Sequence, residues 1–357
     1  MNAQATIFPT AAVPSDARAE GLAAIRVRHL THRYRSARRR LAAPDRDRPA
    51  LDDVSFDVRP GEAFGILGPN GGGKTTLFRI LATLLRPRSG ATTGEAFIFG
   101  HDVLRQPHAV RSLLGVVFQN PSLDPKLTAY ENLLHQGHLY GLRGSELAQR
   151  IDHWLERFNL ADRRDERVER FSGGLRRRVE LAKALLHQPR LLMMDEPSTG
   201  LDVAARRQLW EEVLSLRDQQ GLTVAFTTHL MDEAERCDRL AIVSRGRLIA
   251  LDRPDRLKAR IGGQVVTLEP NPDAEDNSPQ QLARHIEQHW GPWPEGALPR
   301  VVGQEVRFEH ADGTAVVAAI ANRWPGRVRR FSVGQPTLED VFLHLTGSAF
   351  QASEGES

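Results

Sequence analysis

Gly68-Pro69-Asn70-Gly71-Gly72-Gly73-Lys74-Thr75 is a stretch whose residue types and spacing fit one kind of chemistry. Glycines let successive backbone N–H groups turn toward a single anion, and the start of a helix adds partial positive charge. Lys74 supplies a full charge, and Thr75 offers a hydroxyl to a cation. The spacing G-x-x-x-x-G-K-[ST] carries meaning only between a strand and a helix. Here the apolar run Ala63 to Leu67 precedes it and Thr76 to Leu85 follows with helical spacing. The loop therefore reads as a cradle for phosphates, with Lys74 reaching the β and γ groups and Thr75 an Mg²⁺ ion. A second run, Leu191-Leu192-Met193-Met194-Asp195-Glu196, reads as a buried strand that delivers two adjacent carboxylates at its carboxyl end, where ligands sit in such sheets. One acid can hold Mg²⁺ through water while the other takes a proton from an attacking water.

Three further blocks belong to the same scheme. Phe171-Ser172-Gly173-Gly174-Leu175-Arg176-Arg177-Arg178 opens a helical pattern through Val179, Ala182 and Leu186; Gln119 follows a strand-like run; Thr227-Thr228-His229 closes another. With Asp195 to Asp202 (DEPSTGLD), the order and spacing of these motifs over residues 68 to 229 resemble the ATP-binding cassette (ABC) ATPases, and the resemblance covers about Ala24 to Leu257. It implies a P-loop fold in which Gly68, Pro69, Asn70, Gly71, Gly72, Gly73, Lys74, Thr75 and Thr76 surround the phosphates and Tyr34 stacks on adenine. It implies that Thr75, Gln119 and Asp195 serve Mg²⁺, that Glu196 is the general base, and that Lys74, Gln119 and His229 act with it, His229 holding the γ-phosphate and the base in line. It further implies that Ser172, Gly173 and Gly174 cap the ATP of a second copy, with Asp202 across the seam. Tyr34 has a plainer alternative as a half-buried strand aromatic, and His229 as a satisfied histidine at a strand end. Leu175, where the family often has Gln, and the three arginines after it are similar to exporters related to the daunorubicin-resistance ATPases. So is the closing stretch from Pro336 to Gly347, whose plainer role is to complete a small core or a dimer contact. The insertion between Tyr34 and Leu51 is longer than the family pattern.

The elements that must position these residues follow from periodicity. Ala63 to Leu67, Leu114 to Phe118, Leu191 to Met194, Thr223 to Thr227 and Leu240 to Val243 are fully apolar and alternate with helical patterns, as in a parallel sheet covered on both faces. Residues of about 127 to 186 break that rhythm and read as a helical lobe inserted into the α/β domain. The chain of 357 residues is long enough for two domains. The expectation is a flexible lead over 1–22, a nucleotide-binding α/β domain over 24–252, a small α+β domain over 253–347 and a tail over 348–357. The small domain reads β-α-β-α-β-α, with strands at Val265 to Leu268, Glu305 to Glu309 and Val328 to Ser332. Its closing helix shows Thr337 as a cap, Asp340 at the reciprocal position, and an apolar stripe Leu338, Val341, Phe342, Leu345.

No apolar run approaches the roughly 18 residues of a membrane span, and the N-terminus lacks a secretory pattern. With Cys237 as the only cysteine, a cytoplasmic location is expected. Formal charge is only +3, too mild to imply nucleic acid, although seven arginines against two aspartates crowd residues 33 to 48. The expected function is an ATPase that drives export through separate transmembrane permease subunits, peripheral on the cytoplasmic membrane face, with two copies closing on ATP. The alternative is a soluble cassette ATPase acting on ribosomes or nucleic acid, argued from the arginine cluster; such factors usually carry two cassettes per chain, and this chain has one. A small-molecule phosphotransferase would leave Ser172-Gly173-Gly174 and His229 unexplained. The cargo is not written in the chain.

Overall fold

A computed structural model describes residues 23–34, 48–85, 91–274, 277–290, 293 and 298–347. The expected lead, nearly all of the arginine-rich insertion (35–47) and the tail fall outside these residues. Chain contacts divide it into two compact units, 1–248 and 249–357. The division falls inside a strand, Arg247–Asp252, at whose end the sequence reading places the domain boundary.

In the first unit the strands are β1 (Ile25–His32), β2 (Leu51–Val58), β3 (Ala63–Leu67), β4 (Thr92–Ile98), β5 (His101–Asp102), β6 (Leu114–Val117), β7 (Leu191–Asp195), β8 (Thr223–Thr228) and β9 (Arg239–Ser244), with β10 (Arg247–Asp252) straddling the division. They form two sheets, β2-β1-β4-β5 and β10-β9-β3-β8-β7-β6. In the second sheet β3 runs parallel to both β8 and β9, β7 parallel to β6 and β8. Every residue of β3, β7 and β8 is buried, the property that made these runs continuous rather than alternating. The first sheet is antiparallel at β1/β2 and β1/β4, so Leu51 to Val58 pairs alongside β1.

Between β6 and β7 the chain is helical, as Ala129–Leu139, Gly144–Arg157 and Gly173–Leu185 with two short 3-10 turns. Thr128 and Glu131 form a reciprocal cap on the first of these, fixing the chain where it leaves the sheet. Tyr140 stacks on His187 at 3.7 Å, and His187 Nε2 lies 2.8 Å from Leu114 O, so the lobe is pinned to the start of β6. Burial lowers the His187 pKa to about 4, which keeps the ring neutral.

The second unit carries β11 (Gln264–Pro270), β12 (Arg300–Val302), β13 (Glu305–His310) and β14 (Val328–Gly334), in the order β12-β13-β11-β14, antiparallel throughout. Helices Pro279–His289 and Gly313–Arg323 interleave, giving the β-α-β-β-α-β arrangement of a split βαβ sheet. One strand more than expected is present: β12 is only three residues long, too short to register as a pattern. Val266, Leu268, Val306 and Phe308 pack against Leu282, Ile286, Val317 and Ile320 to make its core. The closing helix Leu338–Thr346 has the expected cap, Thr337 with Asp340, and Phe342 is buried. Among the described residues no helix is long and apolar enough to cross a membrane.

Candidate nucleotide site

Four adjacent parallel strands, in the spatial order β3-β8-β7-β6, end on one side of the sheet, and each hands over one part of the site. β3 leads into Gly68, β8 into His229, β7 ends at Asp195 before Glu196, and β6 stops two residues before Gln119. This is the crevice at strand carboxyl ends where α/β sheets bind ligands.

The loop after β3 needs its glycines for two different reasons. A Cβ on Gly68 would lie 2.2 Å from Val243 O, so no side chain fits. Gly73 adopts φ 107°, which L residues avoid, and its Cβ would stand 2.6 Å from Ala50 O. Helix Lys74–Leu81 then starts with no side-chain cap, which leaves its first N–H groups directed at the loop. Lys74 Nζ donates to Gly68 O at 2.7 Å and Pro69 O at 3.2 Å, and stands 3.4 Å from Glu196 Oε1. Burial lowers the pKa of this ammonium, and Glu196 opposes the shift. An uncapped helix start and a buried cation in a tight glycine loop fit a polyphosphate. Thr75 is partly exposed and Thr76 buried.

Glu196 stands at φ 45°, a left-handed conformation unusual for a non-glycine residue. Its N–H is held by Thr227 O at 3.1 Å and Thr227 Oγ1 at 3.0 Å. The turn breaks the strand's side-to-side alternation and brings Glu196 Oε2 within 3.2 Å of both Gln119 Nε2 and His229 Nδ1. His229, then Lys74, hold this carboxyl below the ordinary glutamate range in spite of burial. Asp195 moves the other way: burial raises its pKa, and the 2.5 Å bond from Thr227 Oγ1 only partly offsets it. Lys74, Gln119, Asp195, Glu196 and His229 therefore form one cluster, and Thr227 is its brace.

The remaining expected residues lie around this cluster. Tyr34 is 54% exposed. Its hydroxyl is 3.2 Å from Thr76 Oγ1 and its ring meets His32 edge-on, leaving an aromatic surface beside the first turn of the loop helix. Ser172 and Asp202 each do local work: Ser172 caps helix Gly173–Leu185 through Leu175 N–H, and Asp202 caps helix Val203–Gln220 through Ala205 N–H. Both are exposed, and Gly173 lies beside Gly200 O while Gly174 lies beside Ala205, so the two caps form one edge.

Two contributors carried no assigned role in the sequence reading. Thr227 was visible only as part of its block. Arg177 is buried and donates to Phe118 O at 2.6 Å, Gln119 O at 3.3 Å and Glu180 Oε2 at 2.8 Å, so it anchors the Gln119 loop to the helix that Ser172 caps. Helical spacing does not separate it from Arg178, which has Leu181, Ala182 and Leu185 at i+3, i+4 and i+7; what sets Arg177 apart is the acid Glu180 at i+3, its buried ion-pair partner.

A family model described as "ABC transporter" matches residues 51–199. A daunorubicin resistance ATP-binding protein of Streptomyces coeruleorubidus is 37% identical over 319 residues, 86% of this chain and 94% of its own length. The Nod factor export ATP-binding protein I of Rhizobium meliloti strain 1021 is 39% identical over 306 residues, 84% of each chain. Among solved structures, an ATP-binding subunit of an ABC transporter superposes with TM-score 0.56 and 30% identity, over 67% of this chain and 93% of that one. A dimeric ATP-binding cassette in a post-hydrolysis state, bound to ADP and Pi, gives TM-score 0.55 and 25% identity over 64% and 98%.

Proposed function

Because the chain belongs to the ATP-binding cassette family, we propose that it is the ATP-hydrolysing subunit of an exporter, working as a pair of copies on separate membrane subunits from the cytoplasmic face. The observation that carries the reading is the single cluster of Lys74, Gln119, Glu196 and His229 at the mouth of an uncapped glycine loop. Residues Gly68 to Thr76 bind the phosphates of ATP through main-chain N–H groups and the Lys74 charge, and the exposed face of Tyr34 receives the adenine. Thr75, Gln119 and Asp195 have the oxygen donors that suit Mg²⁺, which when bound neutralises charge on the β and γ phosphates. With Gln119 Nε2 turned to Glu196, the amide oxygen is the atom left for a cation. Glu196 is ionised at neutral pH and takes the proton of the attacking water, while His229 orients that carboxylate and contacts the γ-phosphate.

Ser172, Gly173 and Asp202 are exposed and Gly174 partly so, and we assign the edge they form to the ATP held by the second copy. ATP at two such seams favours the closed pair, which supplies the differential affinity a ligand-driven switch requires. The exporter names of the relatives favour this reading over action on ribosomes or nucleic acid, whose argument rests on an arginine cluster largely outside the described residues. The test is sedimentation of the Glu196→Gln protein with ATP and Mg²⁺: a dimer is expected, and Ser172→Arg should abolish it. A dimer indifferent to both ATP and Ser172→Arg refutes the composite site.

A further inference from the structure

Glu233 lies outside the cluster just described, on the short helix Met231–Ala234 that follows His229. It is 1% exposed, yet its carboxylate is fully engaged. Oε1 accepts from Ser198 Oγ and from Trp210 Nε1 at 3.1 Å; Oε2 accepts from Thr228 Oγ1 at 2.5 Å. The donors come from three separate parts of the chain. Ser198 lies two residues beyond Glu196, Thr228 immediately precedes His229, and Trp210 sits in the helix that Asp202 caps.

A carboxylate sealed from water is costly unless it is fully hydrogen-bonded, and an apolar side chain of similar volume often serves a core at least as well. The three donors explain how this one is tolerated. Their positions say what it does: one oxygen holds the chain just after Glu196 and the other holds the chain just before His229. Thr228 Oγ1 also accepts from Leu230 N–H at 2.9 Å, so the two residues flanking His229 are fixed through one hydroxyl. The 3.2 Å approach of His229 Nδ1 to Glu196 Oε2 thus has a common support beneath both partners.

We propose that Glu233 is a positioning residue for hydrolysis, holding His229 in register with Glu196 through Thr228 and Ser198. The inference rests on the role given to His229 above and adds a group that touches neither nucleotide nor water. In the full-length protein with Mg²⁺ and ATP, Glu233→Ala is expected to lower kcat about 10- to 100-fold, since a displacement near 1 Å has that effect, with KM for ATP changed by less than about threefold. Glu233→Gln keeps an oxygen for Ser198 and Trp210 and presents its amide to Thr228 Oγ1, so it should restore kcat to within about fivefold of wild type. Thr228→Val removes the donor to Oε2 together with the acceptor of Leu230 N–H, leaves Glu233 itself in place, and serves where Glu233→Ala does not fold; the same fall in kcat with unchanged KM is expected.

Residual turnover in the His229→Ala background is the decisive readout. There, adding Glu233→Ala or Thr228→Val should cost less than about threefold, because the group being positioned is gone. Losses that multiply would mean that Glu233 supports only the fold, and would overturn the proposal while leaving His229 in place. Wild-type turnover by His229→Ala alone would instead sink the reading of His229, and with it the need for a positioning residue.

Discussion

Arg177 and Glu180 form an enclosed ion pair, 2.8 Å apart with side chains 5% and 2% exposed. Burial is the largest influence on both, raising the pKa of Glu180 and lowering that of Arg177, and each partner opposes the other's shift. Desolvation therefore outweighs mutual attraction, and the pair is not by itself a source of net stability. What it does is fasten: Arg177 reaches Phe118 O and Gln119 O, and Glu180 Oε1 accepts Ser122 N–H at 2.7 Å. Arg177→Met strands a buried carboxylate and should cost about 3 to 5 kcal/mol, as should Glu180→Leu, which strands a guanidinium. Independent effects would sum to about 6 to 10 kcal/mol, most of a domain's stability. The double variant strands no charge and leaves two carbonyls and one N–H unpartnered, at roughly 1 kcal/mol each. It should therefore be no less stable than either single variant, a coupling of about 3 kcal/mol or more. Urea denaturation followed through the buried Trp154 and Trp210 measures all three. Glu180 has a raised folded pKa, so its contribution is fully present at low pH and lost as pH rises through the folded value. In Arg177→Met, where the carboxyl keeps Ser122 N–H but has lost its guanidinium, the deficit should accordingly shrink as pH falls. Additivity within about 0.5 kcal/mol, or an Arg177→Met cost below about 1 kcal/mol, refutes the reasoning.

Two further outcomes follow from the site itself. Lys74→Ala should weaken ATP binding about 10- to 100-fold, the loss of charge-assisted bonds worth roughly 1.5 to 3 kcal/mol, as measured with a fluorescent ATP analogue; unchanged affinity would remove the phosphate loop from the account. Glu196 has a depressed folded pKa, so its ionised form is present above the ordinary glutamate range and is lost only as pH falls through the lower folded value. His229→Ala removes the first cause of that depression, so the acid limb of kcat/KM, read from residual turnover, should move to higher pH; a limb that stays in place contradicts the pairing.

Much of this was legible in the chain because the determinants are local. A phosphate loop must follow a buried strand and open a helix, so eight residues announce three elements. Strands covered on both faces are apolar throughout, which made β3, β6, β7, β8 and β9 readable, and the Thr337/Asp340 cap marked the last helix. β4 escaped notice because four of its seven residues, Thr92 to Glu95, are polar or glycine and lie at the surface; its order comes from pairing with β1. Three adjacent arginines look alike until a helix assigns Arg177 inward. The left-handed turn at Glu196 is invisible in composition, since it is imposed by Thr227 on the neighbouring strand. Glu233 is the same case: its donors lie up to 35 residues from it along the chain, and only the fold brings them together.

Glu196 as the general base is the central claim, and the most direct measurement is single-site: steady-state ATP hydrolysis and equilibrium ATP binding by Glu196→Gln beside wild type, in Mg²⁺ at neutral pH. Loss of the proton acceptor should lower kcat about 10²- to 10⁴-fold, while the amide, which still fills the space beside Lys74, Gln119 and His229, leaves ATP affinity within a few-fold. Turnover near the wild-type rate, with affinity intact, would contradict the account.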